Sequence, residues 1–195
     1  MTDINLGHAF ERVANWNSKR YERKYDHKLS VALLEEELQE YFDANTLVDQ
    51  LDAMCDVVYV AMGILWKIDV DNETLEYNAM ESHRQMADML KTNTFEPVYF
   101  AYAVLQQYKY DNDYPVALAA QMMITLCMTQ MNAMGLSTLD SMEALLVVCD
   151  SNDSKSIKKT AAHLKANDGD KGVYFVAPEP RLKAILTKVE ARNGY

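Results

Sequence analysis

Glycine and proline are scarce in this 195-residue chain, with 6 Gly and 4 Pro. That shortage leaves too few turn residues for a sandwich or barrel of many short strands. With 12 Met and abundant Ala and Leu, it points to an all-α protein. Cysteine is scarce too: Cys55, Cys127 and Cys149 each lie in apolar helical contexts and none forms a CxxC pair. They read as buried free thiols of a reducing compartment, not as a disulfide framework. The four histidines, His8, His27, His83 and His163, complete neither an ExxH di-iron pair nor a Cys/His zinc cluster. Basic charge is outnumbered, 19 Lys+Arg against 29 Asp+Glu, for a net charge of -10. Such a surface gains no counterion release from a phosphate backbone, which argues against nucleic acid and against an anionic membrane. The start MTDINLGHAFERVANW is polar and unlike a signal peptide. The longest apolar run, Val116 to Met131, carries Gln121, Thr125, Thr129 and Gln130, which fits a core helix better than a membrane span. These features together predict a cytoplasmic protein.

Periodicity predicts helices over Ile4–Arg23, Ser30–Ala44 with Ser30 as cap, Leu47–Lys67 after the Asn45-Thr46 turn, and Glu73–Lys91. The second half repeats the outline. A helix over Phe100–Tyr110 is followed by a turn at Asp111-Asn112-Asp113. Pro115 opens a long apolar helix to Met134, ended by Gly135, and another helix spans Leu139–Cys149. Sliding Leu47–Gln85 onto about Tyr114–Asn152 keeps the elements in step. That correspondence is read as a weak internal repeat, with 1–92 as one unit and 97–195 as a second, divergent one within a single all-α domain. The tail holds the one basic neighbourhood, Lys155, Lys158, Lys159, Lys165, Lys171, Arg181 and Lys183, with a short helix after Pro180.

What the chain has in unusual supply is carboxylate on two core helices. Glu36 and Glu37 share a face with Glu40, and Asp52 shares one with both Asp49 and Asp56, by three- and four-residue spacing. A short turn makes the two helices antiparallel neighbours, so the two lines can face each other. The ordinary use of an acidic helix residue is a solvated face. Two features count against it for the set. The helix from Leu47 is apolar nearly all round apart from Asp49, Gln50, Asp52 and Asp56, and no Lys or Arg lies near enough in it to neutralise them. The preceding helix has none between Val31 and Ala44. Crowded carboxylates raise one another's pKa, and a divalent cation removes the conflict. Oxygen-only ligands suit Mg²⁺ or Mn²⁺.

The stretch LLEEELQEY followed by DQLDAMCDVVYVAMG resembles the MazG-like, all-alpha nucleoside triphosphate pyrophosphohydrolases of the short phage and bacterial type. Glu36-Glu37-Leu38-Gln39-Glu40 fits the EExxE signature, and Asp49-Gln50-Leu51-Asp52 fits ExxD with Asp for the first Glu. A second register places Asp56 at the ExxD aspartate with Ala53 where Glu belongs. The late Ser151-Asn152-Asp153-Ser154-Lys155 is similar to the family's SNxSK element, and Gly169 to Gly172 with Pro178-Glu179-Pro180 to its closing loop.

The resemblance implies an all-alpha helical bundle and hydrolysis of a nucleoside triphosphate, a dNTP in phage-like nucleotide-pool housekeeping, to monophosphate and pyrophosphate. It implies Mg²⁺, or Mn²⁺, on Glu36, Glu37, Glu40, Asp49, Asp52 and Asp56, with Glu36 or Glu37 as general base. It implies substrate contacts from Asn152 and Lys155, and Lys158 or Lys159 is read beside Lys155 at the leaving pyrophosphate. Trp16, Asn17 and Arg20 on the first helix are read as a base-side wall, against the commoner use of such a Trp as core. Ordinary members complete the site by dimerising. Here the acidic ligands and the Asn/Lys element fall in different halves, so the expectation is a tandem chain with divided labour, as a monomer or as a homodimer. The competing reading is a helical module that binds a nucleotide or a partner without turnover. Base preference is left open by the sequence.

Overall fold

The computed structural model describes residues 6–71, 74, 96–111, 115–155 and 171–194. Its elements there are seven helices: α1 Leu6–Arg20, α2 His27–Asp43, α3 Leu47–Lys67, α4 Pro97–Tyr110, α5 Val116–Ala133, α6 Thr138–Ser154 and α7 Glu179–Asn193. Among the described residues there is no strand, as the shortage of turn residues predicts. The helix expected over Glu73–Lys91 lies outside the described residues, apart from Thr74, which is helical. Most of the basic tail lies outside them too, including Lys158.

The helix α3 is the axis of the bundle. Leu51, Met54, Val57, Val58, Ala61, Met62 and Leu65 are fully buried on it, so it is enclosed on most of its circumference. Its widest interfaces are with α5 and α2, and it also meets α1, α6 and α7. One continuous core cluster runs from Ala9 on α1 to Val189 on α7. By composition and length α5 could cross a bilayer, but its Ala119, Met123, Ile124, Leu126, Cys127 and Met131 pack inside this core. Its buried Gln130 has partners there. The Gln130 side chain donates to the Tyr41 hydroxyl at 3.0 Å and accepts from the Val98 amide at 3.3 Å, joining α2, α4 and α5.

Helix ends follow capping chemistry. Thr46 opens α3, its hydroxyl accepting from the Asp49 amide at 3.1 Å. Ser137 and Asp140 form a reciprocal capping box at α6. The start of α2 differs from the sequence expectation. Its cap is Asp26, whose carboxylate accepts from the Leu29 amide at 2.9 Å. Ser30 lies inside the helix, donating back to the Asp26 carbonyl at 2.7 Å, so the helix starts one turn before the predicted cap. The Ser154 end of α6 also overruns the expected Cys149 boundary. That extra length decides where the SNxSK element sits.

Candidate functional site

Two hairpin-paired helices set one wall of a cleft of about 230 Å³. On α2, the buried stripe Ser30, Leu34, Glu37 and Tyr41 turns Glu37 inward beside Leu34 and Leu38. Glu36, one residue round the helix, is exposed. Glu37 and Glu40 line the cleft and Glu36 does not. On α3, Asp56, Tyr59, Val60, Gly63 and Lys67 follow one another at helical spacing and form the floor. Asp52 lies one turn before Asp56 at the carboxylate end. Its Oδ1 is buried with no hydrogen-bond partner among the described residues. Burial first, then the charges of Asp56, Glu179 and Glu40, push the Asp52 carboxyl up to about 8, while Lys155 acts in the opposite sense.

The other wall comes from the C-terminal end of α6 and from α1. Asn152 is within the last helical turn, so its buried face, shared with Val148, points back at α1 and α3. Its Nδ2 donates to the Val148 carbonyl at 3.1 Å, and its Oδ1 accepts from Lys155 Nζ at 2.7 Å. Trp16 Nε1 donates to the Asn152 carbonyl at 2.8 Å. The Arg20 guanidinium lies over the Trp16 ring, 4.2 Å from its centroid, and donates to the Lys155 carbonyl at 2.8 Å. Arg12 pairs with Asp150 at 2.7 Å and with Asp153, and Arg181 reaches Asp150 at 2.5 Å. These charges on the other face of α6 latch α1, α6 and α7 together and leave Asn152 and Lys155 to the cleft.

Of the residues expected at the site, Glu37, Glu40, Asp56, Trp16, Asn152 and Lys155 line one cleft, and Asp52 is electrostatically coupled to three carboxylates and to Lys155. The first-half carboxylates and the second-half Asn/Lys element therefore meet within a single chain. Asp49 is elsewhere: it is exposed in the first turn of α3, and its carboxylate accepts from the Thr46 hydroxyl at 2.7 Å. Arg20 is buried behind Trp16 and supports the wall without lining the cleft. Lys158 lies outside the described residues.

Sequence reasoning missed Tyr21, Ser30, Tyr59, Gly63 and Lys67, which also line the cleft, as does Lys171 of the basic tail. Continuing the Asp52–Asp56 stripe along α3 in steps of three and four leads to Tyr59, Gly63 and Lys67.

The fit of this site to a divalent cation rests on its donors. They are hard carboxylate oxygens, one of them buried and unsatisfied, in a setting that resists multiple ionisation. Among the described residues no three Asp, Glu, His or Cys side chains already converge as a ligand set.

No curated protein and no solved structure matches the chain. Residues 6–83, which hold α1 to α3 and both acidic clusters, match the family Phosphoribosyl-ATP pyrophosphohydrolase (PRA-PH). The match falls on the segment where EExxE and the second acidic line were read. Over residues 6–83 the chain is thus similar to the PRA-PH family, a match that covers less than half of its length.

Proposed function

We propose that the protein is a metal-dependent pyrophosphohydrolase that converts a nucleoside triphosphate, in the first instance a dNTP, to the monophosphate and pyrophosphate. The similarity of residues 6–83 to the PRA-PH family supports hydrolysis of a phosphoric anhydride in a nucleotide. The observation that carries the finer reading is the shared cleft. Glu37, Glu40 and Asp56 face it from α2 and α3, and Asn152 and Lys155 from α6.

Asp52, Asp56 and Glu40 would hold Mg²⁺, or Mn²⁺, which leaves Glu37 in the cleft wall beside them for the proton. The cation, when bound, supplies charge neutralisation at the phosphoryl oxygens and lowers the pKa of a coordinated water. The chain does the rest. A triphosphate carries about four negative charges, and a site for it must meet them with cations and donors in fixed positions. Lys155, held by Asn152 and by the Arg20 bond to its carbonyl, is such a cation and meets the leaving pyrophosphate. Glu37, set in the cleft wall where Glu36 is not, accepts the proton of the attacking water. The apolar and aromatic part of the cleft, Trp16, Tyr21, Leu29, Leu33 and Ile64, receives the nucleoside and keeps bulk water from it.

On this reading one chain supplies both element sets, so a monomer is competent. The test is turnover of a panel of dNTPs and NTPs with Mg²⁺, with EDTA, and in Glu37→Ala. The reading requires turnover that EDTA and the substitution each abolish at an unchanged circular-dichroism spectrum. A folded, metal-loaded wild type that turns over nothing would leave the binding-module reading in its place.

A further inference from the structure

The end of the cleft remote from the carboxylates holds a lysine that the reaction above does not use. Lys67 lines the cleft in the last turn of α3. At 1.5 Å rise per residue, the eleven residues from Asp56 to Lys67 put it roughly 16 Å along the helix from the acidic end. Its ammonium lies 5.3 Å from the centroid of the Tyr21 ring. A lysine near a helix C-terminus usually reaches into water and favours the helix dipole from there. This one is turned over an aromatic ring and partly withdrawn from solvent, and burial lowers its pKa. Among the described residues it has neither a hydrogen bond nor an ion pair. An ammonium has three donors and no acceptor, so a ligand atom beside it must be an acceptor.

One turn back on the same floor is Gly63. A Cβ built there would come 3.4 Å from Asn17 Nδ2 and 3.7 Å from Oδ1. Asn17 is buried and lines the cleft. Its Nδ2 donates to the Val13 carbonyl at 2.9 Å. That bond fixes which end of the amide is nitrogen and leaves Oδ1 as an acceptor. A glycine inside a helix costs on the order of 1 kcal/mol against alanine, and here it leaves the amide uncovered. The far end of the cleft thus combines a donor-only group with an oriented acceptor.

We propose that Lys67, with Asn17, is a specificity-determining pair that selects nucleotides whose base presents a keto oxygen next to a ring N–H, as guanine, uracil and thymine do. This deepens the proposed reaction and rests on it for the direction of the substrate: triphosphate at Lys155, base at Lys67. The keto oxygen accepts from Lys67 and the adjacent ring N–H donates to Asn17 Oδ1. Adenine and cytosine reverse both roles. Their exocyclic amino group would face an ammonium that cannot accept, and their ring nitrogen would face a carbonyl oxygen that cannot donate. A site built for one pattern rejects the other because its own polar groups go unpaired.

The test compares kcat/KM for dGTP, dTTP and dUTP with dATP and dCTP in wild type and in Lys67→Met, which keeps the aliphatic stem over Tyr21. Calorimetric binding of dGMP, dTMP, dAMP and dCMP to the same proteins runs alongside and needs no turnover. The expected result is a wild-type preference for the keto bases of tenfold or more. Lys67→Met should remove it through KM on the keto bases, with less than a twofold change on the amino bases. Asn17→Asp, which keeps an acceptor, should retain the direction of preference. Base-selective monophosphate binding without any triphosphate turnover would sink the hydrolase reading and keep this one. An equal loss on all bases would mean that Lys67 serves the phosphates or the fold. No preference in wild type would overturn the assignment as well.

Discussion

Replacing Asp52 by Asn should stabilise the metal-free protein, by an amount that depends on pH. The Asp52 carboxyl is raised from 3.8 to about 8, chiefly by burial and then by Asp56, Glu179 and Glu40. A folded-state pKa above the unfolded one means that the fold binds the proton more tightly. Stability linked to this group is fully present below about pH 4, is lost as pH rises, and levels off above about pH 8. At pH 7 the gap of roughly three units, at about 1.4 kcal/mol each, sets a ceiling of about 4 kcal/mol. Residual solvent around a carboxyl that is not fully enclosed, and its coupling to Asp56, reduce this to on the order of 2 kcal/mol. Urea unfolding in EDTA at pH 4.5, 6.5 and 8 measures it. Asp52→Asn should exceed wild type at pH 8, with the difference shrinking toward pH 4.5. Added Mg²⁺ should raise the wild type more than the variant, since ligand bound only by the folded state adds stability by mass action. An Asp52→Asn protein no more stable than wild type at pH 8, or equally shifted at all three pH values, would refute the crowding argument.

Two further substitutions separate the roles of neighbouring groups. Asp49→Ala removes the partner of the Thr46 hydroxyl and a negative charge from the first turn of α3. It should cost about 0.3–1 kcal/mol in thermal unfolding and leave kcat/KM within twofold; a hundredfold loss of turnover would return Asp49 to the ligand set. Lys155→Ala should lower kcat/KM at least tenfold and weaken inhibition by pyrophosphate by a similar factor, with monophosphate binding unchanged. Equal weakening of both products would place Lys155 in the wall and not at the phosphates.

The helices were legible in the sequence because apolar spacing and caps agree locally, most clearly at Thr46, where hydroxyl, turn and apolar run coincide. Ser30 misled because a serine before Leu33 and Leu34 looks like a cap, while Asp26, four residues earlier, makes the capping bond. The carboxylate pair was legible as two lines on two helices. Which member of each line faces inward was not, because Glu36 and Glu37 both satisfy the spacing to Glu40 and only packing of α2 on α3 and α4 chooses between them. Asp49 is ambiguous on paper, since an aspartate three residues after a threonine can serve the cap or a ligand set. Asn152 and Lys155 came from motif resemblance. Their meeting with Glu37 depends on the Arg12–Asp150 latch and the Trp16–Asn152 bond, long-range contacts with no local signal. Lys67 was hidden by its ordinary place at a helix C-terminus.

The most direct test of the central claim is the identity of the products. Purified protein, Mg²⁺ and each dNTP, resolved by chromatography into monophosphate, diphosphate, pyrophosphate and phosphate, should give monophosphate and pyrophosphate in equal amounts. Diphosphate with phosphate as the products, or formation of pyrophosphate unaffected by Asp52→Ala, would contradict it.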